Sequence, residues 1–140
     1  MLSDHLRDYA TDAFRFYARV GKLTGDEYID LVKSDSACGQ QPKEIREINA
    51  LHAASEALGA AYDLDAVRRT LEHLETIGKR DAILAVKAVY FVMPSLPLGY
   101  NEIASRVRRF SLSLPASERT VYRWLRLARK VFAIERGLRI

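Results

Sequence analysis

A chain of 140 residues, 49% apolar and 29% charged, holds enough apolar surface for a real core and no tract polar enough for disorder. One compact domain or two small dependent ones is therefore expected. Cys38 is the only cysteine, which excludes an intramolecular disulfide framework. The net charge of +4 is unevenly divided: residues 1–78 hold 9 Lys/Arg against 14 Asp/Glu, whereas 99–140 hold 10 against 3. A basic end of this kind points to a polyanion as partner.

The first ten residues, MLSDHLRDYA, are too densely charged for a secretory signal. The longest apolar stretch, Ile83 to Pro97, is interrupted by Lys87, Pro94 and Ser95 and falls short of the roughly 20 residues a membrane crossing needs. A soluble, cytoplasmic protein is expected.

Nearly every segment reads at helical period, so an all-α protein is expected. A first helix runs from Asp4 to Val20, capped by Ser3 and ended by Gly21, with Leu6, Ala10, Ala13, Phe14, Tyr17 and Val20 as its apolar stripe. A short helix follows, capped by Thr24 or Asp26. Residues 33–42, KSDSACGQQP, read as a loop, in which Cys38 is a tolerated residue rather than a nucleophile. The next helix spans Lys43 to Ala61, with Ile45, Ile48, Leu51, Ala54 and Leu58 as its apolar stripe. Asp63 caps another, with Leu64, Val67, Leu71, Leu74 and Ile77 on one face, and the two are spaced for a hairpin. Arg80 to Met93 is apolar most of the way round, as a buried helix must be. Leu98 to Phe110 is a short helix, and Ser117 to Arg136 a long one ended by Gly137. The expected architecture is a helical N-terminal bundle, 1–78, carrying dimer or partner contacts through Phe14, Phe16 and Tyr17. Residues 79–140 form a helix-turn-helix unit with a long recognition helix.

The chemistry concentrates in the last helix. Val121, Leu125, Ala128 and Phe132 share one face, and Arg119, Arg123, Arg126 and Lys130 lie within about 40° of the opposite direction. Four cations at spacings of four, three and four repel one another. A surface that keeps them together without interleaved acids fits phosphate or bases. Ser117 caps the helix, so Glu118 and Arg119 sit in its first turn, the part that enters the major groove. Arginine can hold guanine O6 and N7, and glutamate can accept from cytosine N4. Glu118, Arg119, Tyr122 and Arg123 are the candidates for base contact. Arg126 and Lys130, with Arg106, Arg108 and Arg109 on the preceding helix and its exit, are the candidates for phosphate contact.

Three segments, AVKAVYF (85–91), YNEIASRV (100–107) and SERTVYRWLRLARKVF (117–132), follow the order buried helix, positioning helix, reading helix. Residues 82–137, about two-fifths of the chain, resemble the sigma-70 region 4 type of helix-turn-helix, as in phage-borne sigma-like transcriptional regulators of the RinA/ArpU kind. The resemblance implies double-stranded DNA as the partner at a bacterial or phage promoter, and it leaves RNA polymerase and a second copy of the chain open as further partners. One departure is the length between Ile103 and Val121, which exceeds a 3–4-residue turn. The surplus in 109–117 is expected to form an elongated turn or an extra half-helix, with Leu112 and Leu114 folded onto the core.

His5, His52 and His73 are far apart and no cysteine pair exists, so no metal is expected. No phosphate loop and no nucleophile elbow occurs, and neither an enzyme nor a cofactor is expected. The alternative to a DNA-binding regulator is a helical protein-interaction adaptor or anti-sigma-like factor whose basic helix docks an acidic partner.

Overall fold

The computed structural model describes residues 2–36 and 39–139; Cys38 lies outside them. Among the described residues there are seven helices, which take up more than two-thirds of the chain, and no strand. They are α1 (Asp4–Arg19), α2 (Gly25–Ser36), α3 (Lys43–Glu56), α4 (Leu58–Thr76), α5 (Arg80–Val89), α6 (Tyr100–Ser113) and α7 (Glu118–Arg136).

Local signals set several helix ends. Ser3 Oγ accepts from the Leu6 N–H at 3.3 Å. Thr24 and Glu27 form a reciprocal capping box, Thr24 N–H to Glu27 Oε1 at 3.1 Å and Glu27 N–H to Thr24 Oγ1 at 3.2 Å. Because α2 continues to Ser36, residues 33–36 are helical rather than part of the expected loop.

The break between the third and fourth helices falls at Ala57, not before Asp63. Asp63 therefore lies inside α4, where its carboxylate accepts from the Tyr9 hydroxyl and from Arg136 Nε, both at 2.7 Å. Its side chain serves a tertiary bond instead of a cap. The expected hairpin also pairs differently: α3 packs mainly on α2 and scarcely touches α4.

The core is a single cluster. Phe14 and Tyr17 of α1, Leu64, Val67 and Leu74 of α4, Val86 and Val89 of α5 with Tyr90 behind them, Val107 of α6, and Val121, Leu125 and Phe132 of α7 all belong to it. The Phe14 ring stacks on Tyr90 and tilts against Phe132, each at 5.7 Å between centroids. The same core thus runs across the boundary expected between residues 78 and 79. Phe14 and Tyr17, expected to meet a partner, are buried in it, and Phe16 packs edge-on against Tyr28. Their stripe faces inward because α1 lies against α4 and α7.

α5 stops at Val89, and the turn after it is held by two arginines. Arg15 of α1 donates to the carbonyls of Tyr90 (3.1 Å), Met93 (2.9 Å) and Leu96. Arg106 of α6 donates to those of Val89 (2.8 Å) and Val92 (2.7 Å). The bonds to Val89 and Tyr90 satisfy carbonyls that the end of α5 leaves without intrahelical partners, and those to Val92, Met93 and Leu96 tie down the turn beyond it. The surplus length in 109–117 becomes an added turn of α6, which runs to Ser113. Leu112 does not fold onto the core: it is 81% exposed, since Val107 and Phe110 occupy the inward face of that helix.

Candidate nucleic-acid interface

The ends of α7 are fixed locally. Ser117 Oγ accepts from the Thr120 N–H at 3.2 Å, and Gly137 closes the helix in the left-handed region at φ +78, where a side chain would be strained. Between these ends Val121, Leu125, Ala128 and Phe132 are buried. Trp124 is half-buried against the same cluster. The rotation of the helix is therefore set by its apolar stripe, and the basic row must face outward.

Arg119, Arg123, Arg126 and Lys130 are all exposed. Glu118, Arg119, Tyr122, Arg123 and Arg126 together line a shallow groove. None of the four cations forms an ion pair among the described residues. The two acids of α7 are engaged elsewhere: Glu135 with Arg69 (3.3 Å) and His73 (3.4 Å), and Glu118 with Arg108 (3.2 Å). Both partners of the Glu118–Arg108 pair are solvated, so it is worth little and can open when either group finds another partner. Arg109 is exposed, with Nη2 3.4 Å from Ser105 Oγ.

Arg106 departs from its expected place. It is 6% exposed, with its guanidinium committed to two backbone carbonyls and, through Nε, to Glu102 at 3.1 Å. It is not available to a phosphate. Arg108 and Arg109, two and three residues further along, remain at the surface.

Three residues beside the row were not among the expected contacts. Arg129 lies on the flank of α7 between the core stripe and the basic face, and its Nη1 donates to the Tyr90 hydroxyl at 2.7 Å. Arg7 of α1 donates to the Tyr100 hydroxyl at 2.9 Å and covers that ring. With Tyr122 and Leu125 they line a cavity between α1, α6 and α7. Arg7 and Tyr100 are 93 residues apart in sequence, and no local spacing connects them.

Among the described residues no group of three His, Cys, Asp or Glu side chains could hold a metal ion. No helix there is long and apolar enough to cross a membrane. No protein-family model matches the chain, and no curated protein and no solved structure matches it either.

Proposed function

We propose that the chain is a sequence-specific DNA-binding transcriptional regulator of the cytoplasm, with α7 as its reading helix in the major groove of double-stranded DNA. The observation that supports this best is the exposed row Arg119, Arg123, Arg126 and Lys130, which has no acidic partner within 4 Å among the described residues. Aligned arginines with free donor forks suit base edges and phosphates. In this reading Glu118, Arg119, Tyr122 and Arg123 meet base edges, and Arg108, Arg109, Arg126 and Lys130 meet the backbone. The sigma-like resemblance of residues 82–137 supports action at a bacterial or phage promoter, with RNA polymerase as a further partner.

The test is titration of the full chain and its variants against selected and scrambled duplexes at several salt concentrations. Loss of one bidentate base contact is worth about 1–3 kcal/mol of discrimination, so Arg119→Ala and Arg123→Ala should each relax preference at one base pair. Lys130→Ala should weaken all duplexes alike and lower the salt slope by about one unit. If the two arginine variants bind every duplex as the parent does, the basic face is merely solvated and the interaction-adaptor alternative takes its place.

A further inference from the structure

The helix α3 is packed inside out. Ala50, Ala53 and Ala54 and the stem of Arg46 turn toward the body of the protein, and Ala54 is the one buried residue of the helix. The large apolar side chains point away from it. Ile45, Ile48 and Leu51 are 45%, 64% and 65% exposed, and Leu58, at the start of α4, is 44% exposed. At 100° per residue Ile45, Ile48 and Leu51 lie within about 60° of one direction, on successive turns of α3. Large apolar side chains adjoining in this way form a ridge, and a contiguous ridge bare to water marks a contact surface.

The surroundings of the ridge are acidic. Glu47 borders it on one side and Glu56 on the other, and Glu44 stands at its N-terminal end, all exposed. Lys43 is the only fully exposed cation of the helix, with Nζ 3.9 Å from Glu47, and His52 Nε2 lies 3.0 Å from Glu56.

We propose that this ridge docks a basic amphipathic helix of a partner protein. Its apolar stripe would pack against Ile45, Ile48 and Leu51 while its flanking Lys and Arg meet Glu44, Glu47 and Glu56. A second copy of this chain fits less well. With acids on both flanks, a two-fold pairing of α3 sets acid against acid whether the helices run parallel or antiparallel. The inference uses no residue of α7 and stands or falls apart from the duplex reading.

The probe is a labelled Leu/Lys peptide of about 18 residues, long enough to form a helix, with Leu at heptad spacing. Its controls are the same composition in shuffled order and a version with Glu for Lys. Fluorescence anisotropy with the full chain should show one-to-one binding of the Leu/Lys peptide alone. Ile48→Asn and Leu51→Asn should each weaken it about tenfold. Glu44→Gln combined with Glu47→Gln should weaken it and flatten its salt dependence. All four positions are exposed, so unchanged circular dichroism verifies the fold of each variant. Equal binding by the parent and by the Ile48→Asn, Leu51→Asn double variant would overturn the proposal. So would a concentration-dependent dimer in sedimentation equilibrium that Ile48→Asn dissolves, because the ridge would then be an interface between copies.

Discussion

Arg15 and Arg106 approach one turn from two different helices, and between them they satisfy five carbonyls in the stretch from Val89 to Leu96. Burial is the main reason the Arg15 pKa falls below its ordinary value, and the neighbouring Arg106 charge is the second. The planar fork of arginine suits this task better than an ammonium would, since it aims several donors at once. Arg106→Met keeps most of the apolar bulk but strands two acceptors, at about 1–3 kcal/mol for each that stays buried. A stability loss of about 2–4 kcal/mol in urea unfolding is expected from that range, whereas the solvated Arg108→Ala should stay within about 0.5 kcal/mol of the parent. Equal midpoints for the two variants would contradict the structural role. A second residue-scale effect concerns pH. Burial raises the phenol pKa of Tyr17, and burial followed by the bond to Asp63 raises that of Tyr9, both from an ordinary value of 10.0. The folded chain therefore keeps these protons longer than the unfolded chain does. The resulting stability is complete below about pH 10 and is lost as pH rises through the folded pKa values. Tyr17→Phe removes one of the two groups without breaking a hydrogen bond shown in the structure. Its stability should decline less steeply in the alkaline range, which urea midpoints at successive pH values would reveal.

At the scale of the helix, Gly25 sets how closely α2 can approach α4. A Cβ at that position would lie 2.5 Å from Asp65 Oδ2 and 2.7 Å from the Ala61 carbonyl oxygen. The carboxylate can rotate away, but the carbonyl cannot without moving α4. The Gly25 N–H also donates to Asp65 Oδ1 at 2.8 Å. Two magnitudes oppose each other in Gly25→Ala: a gain of about 1 kcal/mol in helix propensity and an overpacking cost of about 1–3 kcal/mol. The cost should win, lowering the thermal midpoint and speeding amide exchange in α2; a raised midpoint would mean that the two helices separate easily. The same element explains what could be read in advance. Ser3, Ser117 and Gly137 act through bonds within a few residues, so the helix ends they set were legible in the sequence. The rotation of α7 was legible too, because one stripe is apolar and the opposite one cationic. Asp63 and Arg106 were not, since Asp63 bonds Tyr9 and Arg136, 54 and 73 residues away, and Arg106 bonds backbone atoms. A cap signal and a tertiary ion pair use the same carboxylate, and only the packing decides between them. The inverted α3 escaped for a similar reason. Periodicity reports which face is apolar but not whether that face is covered.

At the scale of the molecule, charge and core divide the chain differently. The basic excess belongs to residues 99–140, which on charge alone would make 79–140 a DNA-binding unit by itself. Yet α7 packs on α4 as well as α5, and α1 also lies against it. Phe132 meets Phe14 at 5.7 Å and Tyr9 at 6.2 Å. Arg136 is bound to Asp63, and Glu135 is bound to Arg69. Cutting after residue 78 would leave the inner faces of α5 and α7 bare on one side, in a fragment of about 60 residues that is marginal on size alone. The fragment 79–140 is therefore expected to lose the cooperative thermal transition of the full chain and most of its helical ellipticity. In gel-shift assays it should retard duplex DNA far less than the intact protein does, although it carries every cation of the proposed reading face. Fragment 1–78 should retard no duplex, because its net charge is negative. Mixing the two fragments offers the decisive comparison. If α1 and α4 complete the core of the basic unit, adding 1–78 should restore both helicity and DNA binding, with a half-saturation that depends on the concentration of the acidic fragment. If instead 79–140 alone melts cooperatively and binds duplexes as tightly as the whole chain, the contacts of α7 with α1 and α4 are dispensable. The basic unit would then fold on its own, and the N-terminal helices would be an appended module.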